Sequence, residues 1–463
     1  MESRDKKRIL VVGGGFAGVE CIIKLESYFQ NNHNFEITLV SEDNFLLFTP
    51  MLPQVAAGTI ETRHIVTPIR TLIKKTKFYE AKIKNIDPHG KIVTLFGTKE
   101  SRGMRIHYDF LIVALGSQTN FFGMKDVEEN SYRMNTINDA IILRNRVIDL
   151  LEQAENETDP ILRKSLLQIV VVGGGFAGVE TAGEINDFIS EASEYYPSIN
   201  YKDVKVTLVE ATTEILNGFP KKLAGFAKEK LVERGIEVIL AAGVTSFNGQ
   251  EVMLKSQLDS NKMLVGDSSE HLGHYKLKEI SSIQTNTLIW TAGTTPIDLI
   301  KESLFKTSKG RILVNQFLQV PQFPEVFAIG DCSIFDPDLS MKKYPPTAQI
   351  AEAHAKAAAY NLKQFVNGEK MSSFDYTWKG QSALIGKRTG VATFFGINVA
   401  GFLAFILWRN LYLSKIRGWE KKFRVWIDWN LDLFFRRDIS RLKIIKKERE
   451  IDYKELDEVD DVW

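Results

Sequence analysis

An internal repeat constrains the fold of this chain of 463 residues more than any other feature. Residues 9–20 read ILVVGGGFAGVE and residues 169–180 read IVVVGGGFAGVE, so ten consecutive residues recur identically 160 positions apart. Each copy places glycines at the spacing G-x-G-x-x-G, namely Gly13, Gly15 and Gly18, then Gly173, Gly175 and Gly178. Such glycines form a tight turn, admit a pyrophosphate and let a helix pack on its strand. The repeat therefore predicts an α/β fold with two Rossmann-type dinucleotide-binding units, and makes a ligand-free glycine turn the less favoured interpretation.

An acidic side chain is expected after the second strand of each unit. These strands are FEITLVSED at 35–43 and VKVTLVEA at 204–211. Glu210 closes the later strand, where a carboxylate can accept from both ribose hydroxyls and repel a 2′-phosphate, which favours NAD over NADP. The corresponding position of the first copy is Ser41, and the adjacent Glu42 is its candidate acid.

Two dinucleotide units suggest two dinucleotides, a permanently held FAD and a nicotinamide that visits. FLIVALGS at 110–117 and TLIWTAGTTP at 287–296 follow the two repeats at similar distances and are predicted to be the closing strands of the two sheets. The later segment VFAIG places Asp331 at the carboxyl end of a buried strand, where open α/β sheets bind ligands. Asp331 is a candidate partner of the flavin ribityl chain, and a structural turn aspartate is the alternative.

Taken together, these segments resemble the two-dinucleotide-binding flavoproteins and, more narrowly, the type II NADH dehydrogenases, which are single-chain NADH:quinone oxidoreductases of the membrane surface. The narrower resemblance rests on FLLFTPMLPQVAAGTIETRHIVTPIR at 45–70, GGGFAGVETAGEINDF at 173–188 and YPPTAQIAEAHAKAAAYNL at 344–362. It implies that hydride passes from NADH to FAD, that two electrons then pass to a membrane quinone at a separate opening, and that no metal takes part.

The resemblance also implies roles for individual residues. Glu180 is expected near the contact between nicotinamide and flavin, with a buried packing glutamate as the alternative, and Glu184 follows it on the same helix face. The expected FAD contacts, besides the glycines and Glu42, are Phe16, Ala17, Thr49, Pro50, Gly116, Gly330, Asp331, Ala348 and Gln349. The expected NADH contacts, besides the glycines and Glu210, are Glu180 and Gly293.

The chain departs from the family at the end of the quinone-side motif. Ala348 and Gln349 match its A-Q signature, but the glutamine expected after Ala351 is replaced by Ala353, which is followed by His354. The departure removes a polar contact that would anchor one quinone carbonyl. His354, or Glu352 beside it, is the candidate substitute as hydrogen-bond donor or proton source, and a simple helix histidine is the alternative. The predicted catalytic set is Glu180, Gln349 and His354.

The C-terminal region predicts a membrane contact. Thr389 to Trp408 is a run of 20 residues without a charge, long enough to span a bilayer, but its glycines, threonines and asparagine favour a strand and turn before a shorter helix. Residues 423–435 read FRVWIDWNLDLFF and form an amphipathic pattern. Its apolar face consists of Phe423, Trp426, Ile427, Leu431 and Phe434.

Charge and tryptophan content support an interfacial helix. Residues 408–447 carry 12 Lys or Arg against 4 Asp or Glu, and four of the seven tryptophans fall at Trp408, Trp419, Trp426 and Trp429. Basic residues are attracted to an anionic leaflet. We expect a monotopic membrane-docking module followed by a solvated acidic tail at 448–463. The alternative use of the aromatic face, a homodimer contact, can coexist with docking.

Composition excludes several classes of protein. The 59 Lys and Arg balance 58 Asp and Glu, whereas a nucleic-acid-binding protein usually shows a basic excess. Cys21 and Cys332 are too few for a zinc cluster or disulfide framework, which indicates a reducing compartment. They also form no evident pair beside a flavin, which disfavours a sulfide:quinone oxidoreductase. A redox-signalling flavoprotein is the remaining alternative.

These features predict a three-part organisation. Residues 1–120 and 297–385 are expected to form a discontinuous FAD domain, and residues 165–296 an NADH domain. Residues 121–164 are expected to be a linker ending in a long helix, and residues 386–463 the C-terminal module. The N-terminus, MESRDKKRILVV, lacks the apolar stretch of a signal peptide. We therefore expect the protein at the cytoplasmic face of the cell membrane.

Overall fold

The computed structural model describes residues 6–97, 103–257, 280–335, 344–441 and 459–462. The expected acidic tail at 448–463 lies outside these residues except for a short strand, Val459–Val462. Two parallel sheets organise the chain, and each begins with one copy of the glycine repeat. Their central strands are continuous aliphatic runs that are buried on both faces, which is typical of parallel sheets covered by helices.

The first sheet has six strands and combines early and late parts of the chain. In spatial order the strands are Gln319–Val320, Phe323–Ala328, Phe110–Val113, Lys7–Val12, Phe35–Ser41 and Lys77–Glu80. All neighbours are parallel except the first pair. The helix that follows the first glycine loop, Phe16–Phe29, packs against the helix Ala348–Asn367, which we call the A-Q helix.

The second sheet has five strands, all parallel. In spatial order they are Tyr132–Arg133, Thr287–Trp290, Gln168–Val172, Lys205–Val209 and Glu237–Ile239. Its glycine loop leads into the helix Phe176–Ala192. The two sheets share one register, because Val12 pairs with Val40 as Val172 pairs with Val209. Ser41 therefore occupies the position of Glu210, and the paired strands predicted from the repeat are present in both units.

The predicted linker helix runs from Ile137 to Asn156. It begins with a capping box, in which the Thr136 hydroxyl accepts from the Asp139 N–H and the Asp139 carboxylate accepts from the Thr136 N–H. The remaining helices outside the C-terminal module are Leu52–Ala56, Lys125–Asn130, Pro160–Leu166, Lys221–Glu233 and Asp298–Lys301. Two smaller sheets have two strands each: Phe45–Leu47 with Val66–Pro68, and Gln118–Thr119 with Thr294–Thr295. Two have three strands each: Ala242–Phe247, Glu251–Ser256 and Ile280–Gln284 form one, and Thr307–Ser308, Arg311–Val314 and Ser333–Phe335 form the other. A four-stranded sheet consists of Ile83–Asp87, Ile92–Leu95, Gly103–His107 and Val459–Val462.

The C-terminal module consists of a three-stranded antiparallel sheet and two helices. The strands are Gly380–Leu384, Gly390–Phe394 and Ile397–Gly401. The inner C-terminal helix is Phe402–Lys415 and the outer C-terminal helix is Trp419–Phe434. The prediction of strands before a shorter helix in the uncharged run is thus confirmed. Among the described residues, no helix combines the length and apolarity needed to cross a bilayer.

Candidate functional site

A cavity of about 1280 Å³ lies between the two sheets and the C-terminal module. Gly15 and Phe176, at the start of the two glycine-loop helices, both line its wall. Two dipole-positive helix ends therefore open into one space, an arrangement suited to the pyrophosphates of two dinucleotides. The predicted site residues on the wall are Gly15, Phe16, Ala17, Thr49, Pro50, Gly116, Glu180, Gly293, Gly330, Asp331, Ala348 and Gln349.

The two glycine loops have the same backbone geometry. Gly13 has a φ of +109° and Gly173 a φ of +108°, a region that other residues rarely adopt. A Cβ atom on Gly18 would lie 1.8 Å from the Gly13 carbonyl oxygen, and one on Gly178 would lie 1.7 Å from that of Gly173. These four glycines make the turn and the close helix–strand packing. Gly15 and Gly175 have nothing within 4 Å of an added Cβ, which leaves room for a ligand to approach the backbone.

Asp331 reaches the cavity from the carboxyl end of strand Phe323–Ala328. Its Oδ2 accepts a hydrogen bond of 3.0 Å from the Ser117 hydroxyl, which follows the neighbouring strand Phe110–Val113. Burial raises the pKa of Asp331, and the bond from Ser117 partly offsets this effect. Gly330 beside it has a φ of +73°. Ser117, which sequence reasoning did not select, therefore orients the carboxylate that was selected.

Glu42 does not reach the cavity. Its side chain is exposed. The neighbouring Asp43 is also exposed, but it is one of the residues that line the cavity. The buried Ser41 stands where Glu210 stands in the other unit, because the two sheets share one register. Asp43 is therefore a second candidate for the FAD-side acid, and the assignment of Glu42 stays a prediction. Burial and the nearby Glu42 and Glu80 raise the pKa of Asp43.

Glu210 folds back over its own glycine loop. Its Oε2 accepts from the Gly174 N–H at 2.5 Å and its Oε1 from the Thr212 N–H at 2.8 Å. The carboxylate is thus fixed beside the loop that would hold a pyrophosphate, at the end of its strand. This is the position from which an acid contacts an adenosine ribose.

Glu180 is buried at the centre of the cavity wall. Its Oε1 accepts from the Leu384 N–H at 3.0 Å and from the Trp408 Nε1–H at 3.1 Å, both in or next to the C-terminal module. Burial raises the pKa of Glu180 to about 8, an effect that these two bonds oppose and the nearby Glu184 reinforces. Tyr412, whose ring stacks on Trp408 at 4.2 Å, lines the same wall. The C-terminal module therefore completes the site, which the sequence alone did not indicate.

The raised pKa of Glu180 makes stability depend on pH. The folded state holds a proton between the ordinary value of 4.5 and about 8 that the unfolded chain has released. Stability therefore falls as pH rises through this window and levels off above it. We expect the wild type to lose up to about 1.4 kcal/mol per pH unit relative to Glu180→Gln between pH 5.5 and 7.5. Denaturant unfolding at several pH values measures this, and parallel pH profiles of the two proteins would contradict it.

The A-Q helix delivers Gln349 to the wall but turns His354 away from it. The Gln349 Nε2 donates to the Gly380 carbonyl at 3.2 Å, and its Oε1 accepts from the Tyr376 hydroxyl at 3.0 Å. Two further residues of the same motif, Ala348 and Ala351, also line the cavity. Glu352 lies on the wall as well, where it pairs with Lys415.

His354 is a packing residue, so its assignment as catalytic is corrected. The side chain is buried among the rings of Phe335, Tyr344 and Phe374, and its Nδ1 accepts from the Gly330 N–H at 3.2 Å. Burial lowers the pKa of His354 to about 3, so the imidazole is neutral at physiological pH. A neutral ring without access to the cavity cannot supply protons to a ligand there.

Neither cysteine reaches the cavity. Cys21 lies buried in the helix Phe16–Phe29, and Cys332 is buried with its Sγ near the carbonyl oxygens of Val113 and Ile329. Burial raises the pKa of both thiols, that of Cys332 to about 11. Neither thiol is therefore placed to carry sulfur beside a flavin, as a sulfide:quinone oxidoreductase requires of a cysteine pair.

The wall also carries hydroxyl groups that suit a ligand. The buried oxygens of Ser382 and Thr393 have no hydrogen-bond partner among the described residues, and both residues line the cavity. Buried polar atoms are nearly always paired, so unpaired ones at a cavity wall indicate a bound group. Together with the open glycine loops and Asp331, they show that the residues present fit a dinucleotide cofactor.

Comparison with known proteins agrees with this geometry. The chain belongs to the pyridine nucleotide-disulphide oxidoreductase family, whose model matches residues 7–355. Residues 378–438 match the NDH2 C-terminal domain, which makes the chain a member of the type II NADH dehydrogenases within that family.

Individual relatives support the narrower assignment. A probable NADH dehydrogenase of Dictyostelium discoideum is 32% identical over 94% of this chain and 91% of its own length. A type II NADH:quinone oxidoreductase of Staphylococcus aureus is 29% identical over 86% of this chain and 92% of its own length. The structure of NDH2 from Plasmodium falciparum in complex with NADH matches the fold, with a TM-score of 0.82 at 22% identity, over 94% of this chain and 100% of that one.

Proposed function

We propose that the protein is an NADH:quinone oxidoreductase that uses FAD to pass electrons from NADH to a membrane quinone. FAD supplies a carrier that accepts hydride and releases two electrons. One observation supports the proposal most strongly: both glycine-loop helices and the C-terminal module line the same cavity. In it the FAD side is formed by the loop at Gly15, by Asp43 and by Asp331, and the NADH side by the start of the helix Phe176–Ala192. Glu210 stands beside this second loop, on the Gly174 N–H.

Residues on the wall position the reactants and exclude water. Glu180 stands between the two glycine loops, buried and held by Leu384 and Trp408. With its pKa raised to about 8, it is protonated at neutral pH and can donate a hydrogen bond to a bound nicotinamide. Gln349 bonds the first residue of strand Gly380–Leu384, the strand whose last residue bonds Glu180. We assign the NADH side to the second unit and the quinone side to the wall between Gln349 and the inner C-terminal helix.

Steady-state oxidation of NADH by the purified protein tests this function. Adding a quinone, such as a short-chain ubiquinone analogue, should strongly accelerate NADH consumption over the rate without an added acceptor. Sulfide offered in place of NADH should give no turnover, because neither thiol reaches the cavity. Turnover with sulfide and none with NADH would overturn the proposal in favour of a sulfide:quinone oxidoreductase.

Glu210→Arg should shift the preference from NADH towards NADPH. The substitution removes a carboxylate that is fixed at the strand end and introduces a cation that attracts a 2′-phosphate. We expect the ratio of kcat/KM for NADPH to that for NADH to rise about 10- to 100-fold. Glu214→Arg is the matched control, because this glutamate lies on the same loop but pairs with Lys221 rather than with the glycine loop. An unchanged ratio in Glu210→Arg would remove the cofactor argument.

We further propose a monotopic attachment to the membrane through the outer C-terminal helix. Trp419, Phe423, Trp426 and Phe434 are all at least half exposed along one side of it. Val425 and Trp429 on the other side are buried against the protein. Of the four tryptophans assigned to membrane contact, Trp408 and Trp429 are therefore corrected to core residues. We place the attachment at the cytoplasmic face of the cell membrane.

Three further features of the organisation are part of the proposal. The FAD domain comprises residues 1–120 and a later segment that begins at 297, since the first sheet takes strands from both. We move the end of that segment from 385 to 379, because strand Gly380–Leu384 pairs with Gly390–Phe394 of the C-terminal module. The NADH domain comprises residues 165–296, and the linker at 121–164 joins them. A homodimer remains a prediction, and analytical ultracentrifugation in detergent tests it.

A further inference from the structure

An ion pair between two elements of the cavity wall stands near the proposed quinone side. The Nζ of Lys415 lies 2.8 Å from an Oε2 of Glu352. Lys415 is the last residue of the inner C-terminal helix, and Glu352 lies on the A-Q helix one turn after Gln349. Both line the cavity, and the Lys415 side chain is 43% exposed, so its ammonium can meet a ligand there.

Beside this pair lies a small recess, lined by apolar and charged side chains together. Its volume is about 10 Å³, which is roughly the space that one water molecule needs. Lys415 and Glu352 line both the recess and the main cavity, together with the rings of Phe16 and Phe48. Glu20, Thr67 and Arg417 contribute polar atoms to its other walls, and a water needs two to four such partners.

Charged groups continue from the recess to the protein surface. The Glu20 side chain is only 6% exposed, and its carboxylate pairs with Arg417 and, at 3.6 Å, with Lys356. The Lys356 side chain is 52% exposed. A series of charged side chains thus leads from solvent past Glu20 to the Lys415–Glu352 pair and the cavity.

The reaction requires a proton from solvent. NADH gives up a hydride, which carries two electrons and one proton, whereas a quinone becomes a quinol by gaining two electrons and two protons. One proton must therefore enter a wall that faces a membrane and excludes bulk water. His354, the residue that the motif suggested for this task, does not reach the cavity.

We propose that Lys415 is the acid that protonates the quinone oxygen, and that Glu352 positions it. This inference rests on the proposed function. In the step, an N–H bond of the Lys415 ammonium breaks as an O–H bond forms on the reduced quinone oxygen. The neutral amine regains a proton from water in the recess, which is resupplied from solvent along Glu20 and Lys356. An ammonium is a suitable acid here, since it carries three protons and can place one of them on a neighbouring oxygen.

Rapid-mixing measurements on the full-length holoenzyme test the proposal. Lys415→Met should leave the bleaching of flavin by NADH unchanged and slow its reoxidation by a short-chain quinone about 100-fold, the range of general acid catalysis. Reoxidation by ferricyanide should not change, because this acceptor takes electrons without protons. Equal slowing with both acceptors would overturn the proposal, since it would show a general structural effect.

A second substitution separates the proton from the charge. Lys415→Arg keeps a cation beside Glu352, but a guanidinium does not release a proton in proteins. This variant should fold normally and still be slow with quinone. If it reoxidises at the wild-type rate, Lys415 acts only through its charge and the proposal is wrong. Glu352→Gln, which loosens the position of the ammonium, should slow quinone reoxidation less than Lys415→Met does.

Controls distinguish this inference from the proposed function. Lys363→Met lies on the same A-Q helix but away from the cavity, and should behave as the wild type. If the wild type itself is not reoxidised by quinone after bleaching by NADH, the proposed function fails. If wild type and all variants are reoxidised at one rate, only the assignment of Lys415 fails.

Discussion

Replacing Trp419, Trp426 and Phe434 together by serine is expected to release the protein from anionic lipid vesicles. Their side chains are 81%, 50% and 82% exposed on one side of the outer C-terminal helix. Each substitution removes apolar surface that would be buried in the bilayer interface. The three substitutions together should therefore weaken binding to the vesicles about 100-fold or more. Vesicle co-sedimentation measures this directly.

The fold should survive this triple substitution. The opposite side of the helix, with Val425 and Trp429, still packs against the protein, so NADH oxidation with soluble acceptors should persist. The matched control is Ile161→Ser with Leu304→Ser, which removes exposed apolar side chains outside the C-terminal module. Retained binding of the triple variant, or equal loss in the control, would contradict docking through this helix. Binding of the wild type should also weaken with salt, since nearby basic residues add an electrostatic part.

Arg437→Met is expected to destabilise the protein by about 3–5 kcal/mol, because it leaves buried carboxylates without their cation. The Arg437 side chain is 2% exposed and lies 3.1 Å from Glu184, 3.0 Å from Asp432 and 4.0 Å from Glu191. These carboxylates raise the pKa of Arg437 despite its burial. The residue thereby ties the segment after the outer C-terminal helix to the helix Phe176–Ala192.

The adjacent Arg436 provides the control. It pairs with Glu194, but both side chains are about half exposed, and exposed pairs contribute less than about 1 kcal/mol. Arg436→Met should therefore leave denaturant unfolding nearly unchanged, whereas Arg437→Met should lower the midpoint strongly. Equal effects of the two substitutions would show that the buried network does not hold the C-terminal module in place.

The sequence predicted those parts of the fold that local patterns determine. The repeat at 9–20 and 169–180 located both glycine loops, because a tight turn and close packing demand glycine at fixed spacing. The uncharged run at 389–408 was correctly divided into strands and a helix, since its glycines and threonines disfavour a long helix. The placement of Glu210 at the end of its strand followed from the same local register.

Parts of the site that depend on distant contacts could not be predicted. Trp408 and Trp419 belong to one aromatic stretch, yet Trp408 donates to Glu180, which lies 228 positions earlier, while Trp419 is exposed. Helical periodicity does not say which side of the A-Q helix faces the cavity, so His354 was preferred over the true wall residue Glu352. Likewise, only the path of the loop after Ser41 decides that Asp43, and not Glu42, lines the cavity.

Anaerobic absorbance of the protein-bound flavin, recorded during sequential additions, tests the central claim most directly. NADH should bleach the flavin, and a short-chain quinone added next should restore its absorbance, because one cavity serves both half-reactions. Bleaching by NADH without recovery would contradict the assignment of the wall beside Gln349 and Lys415 to a quinone. Bleaching by sulfide but not by NADH would contradict the whole account.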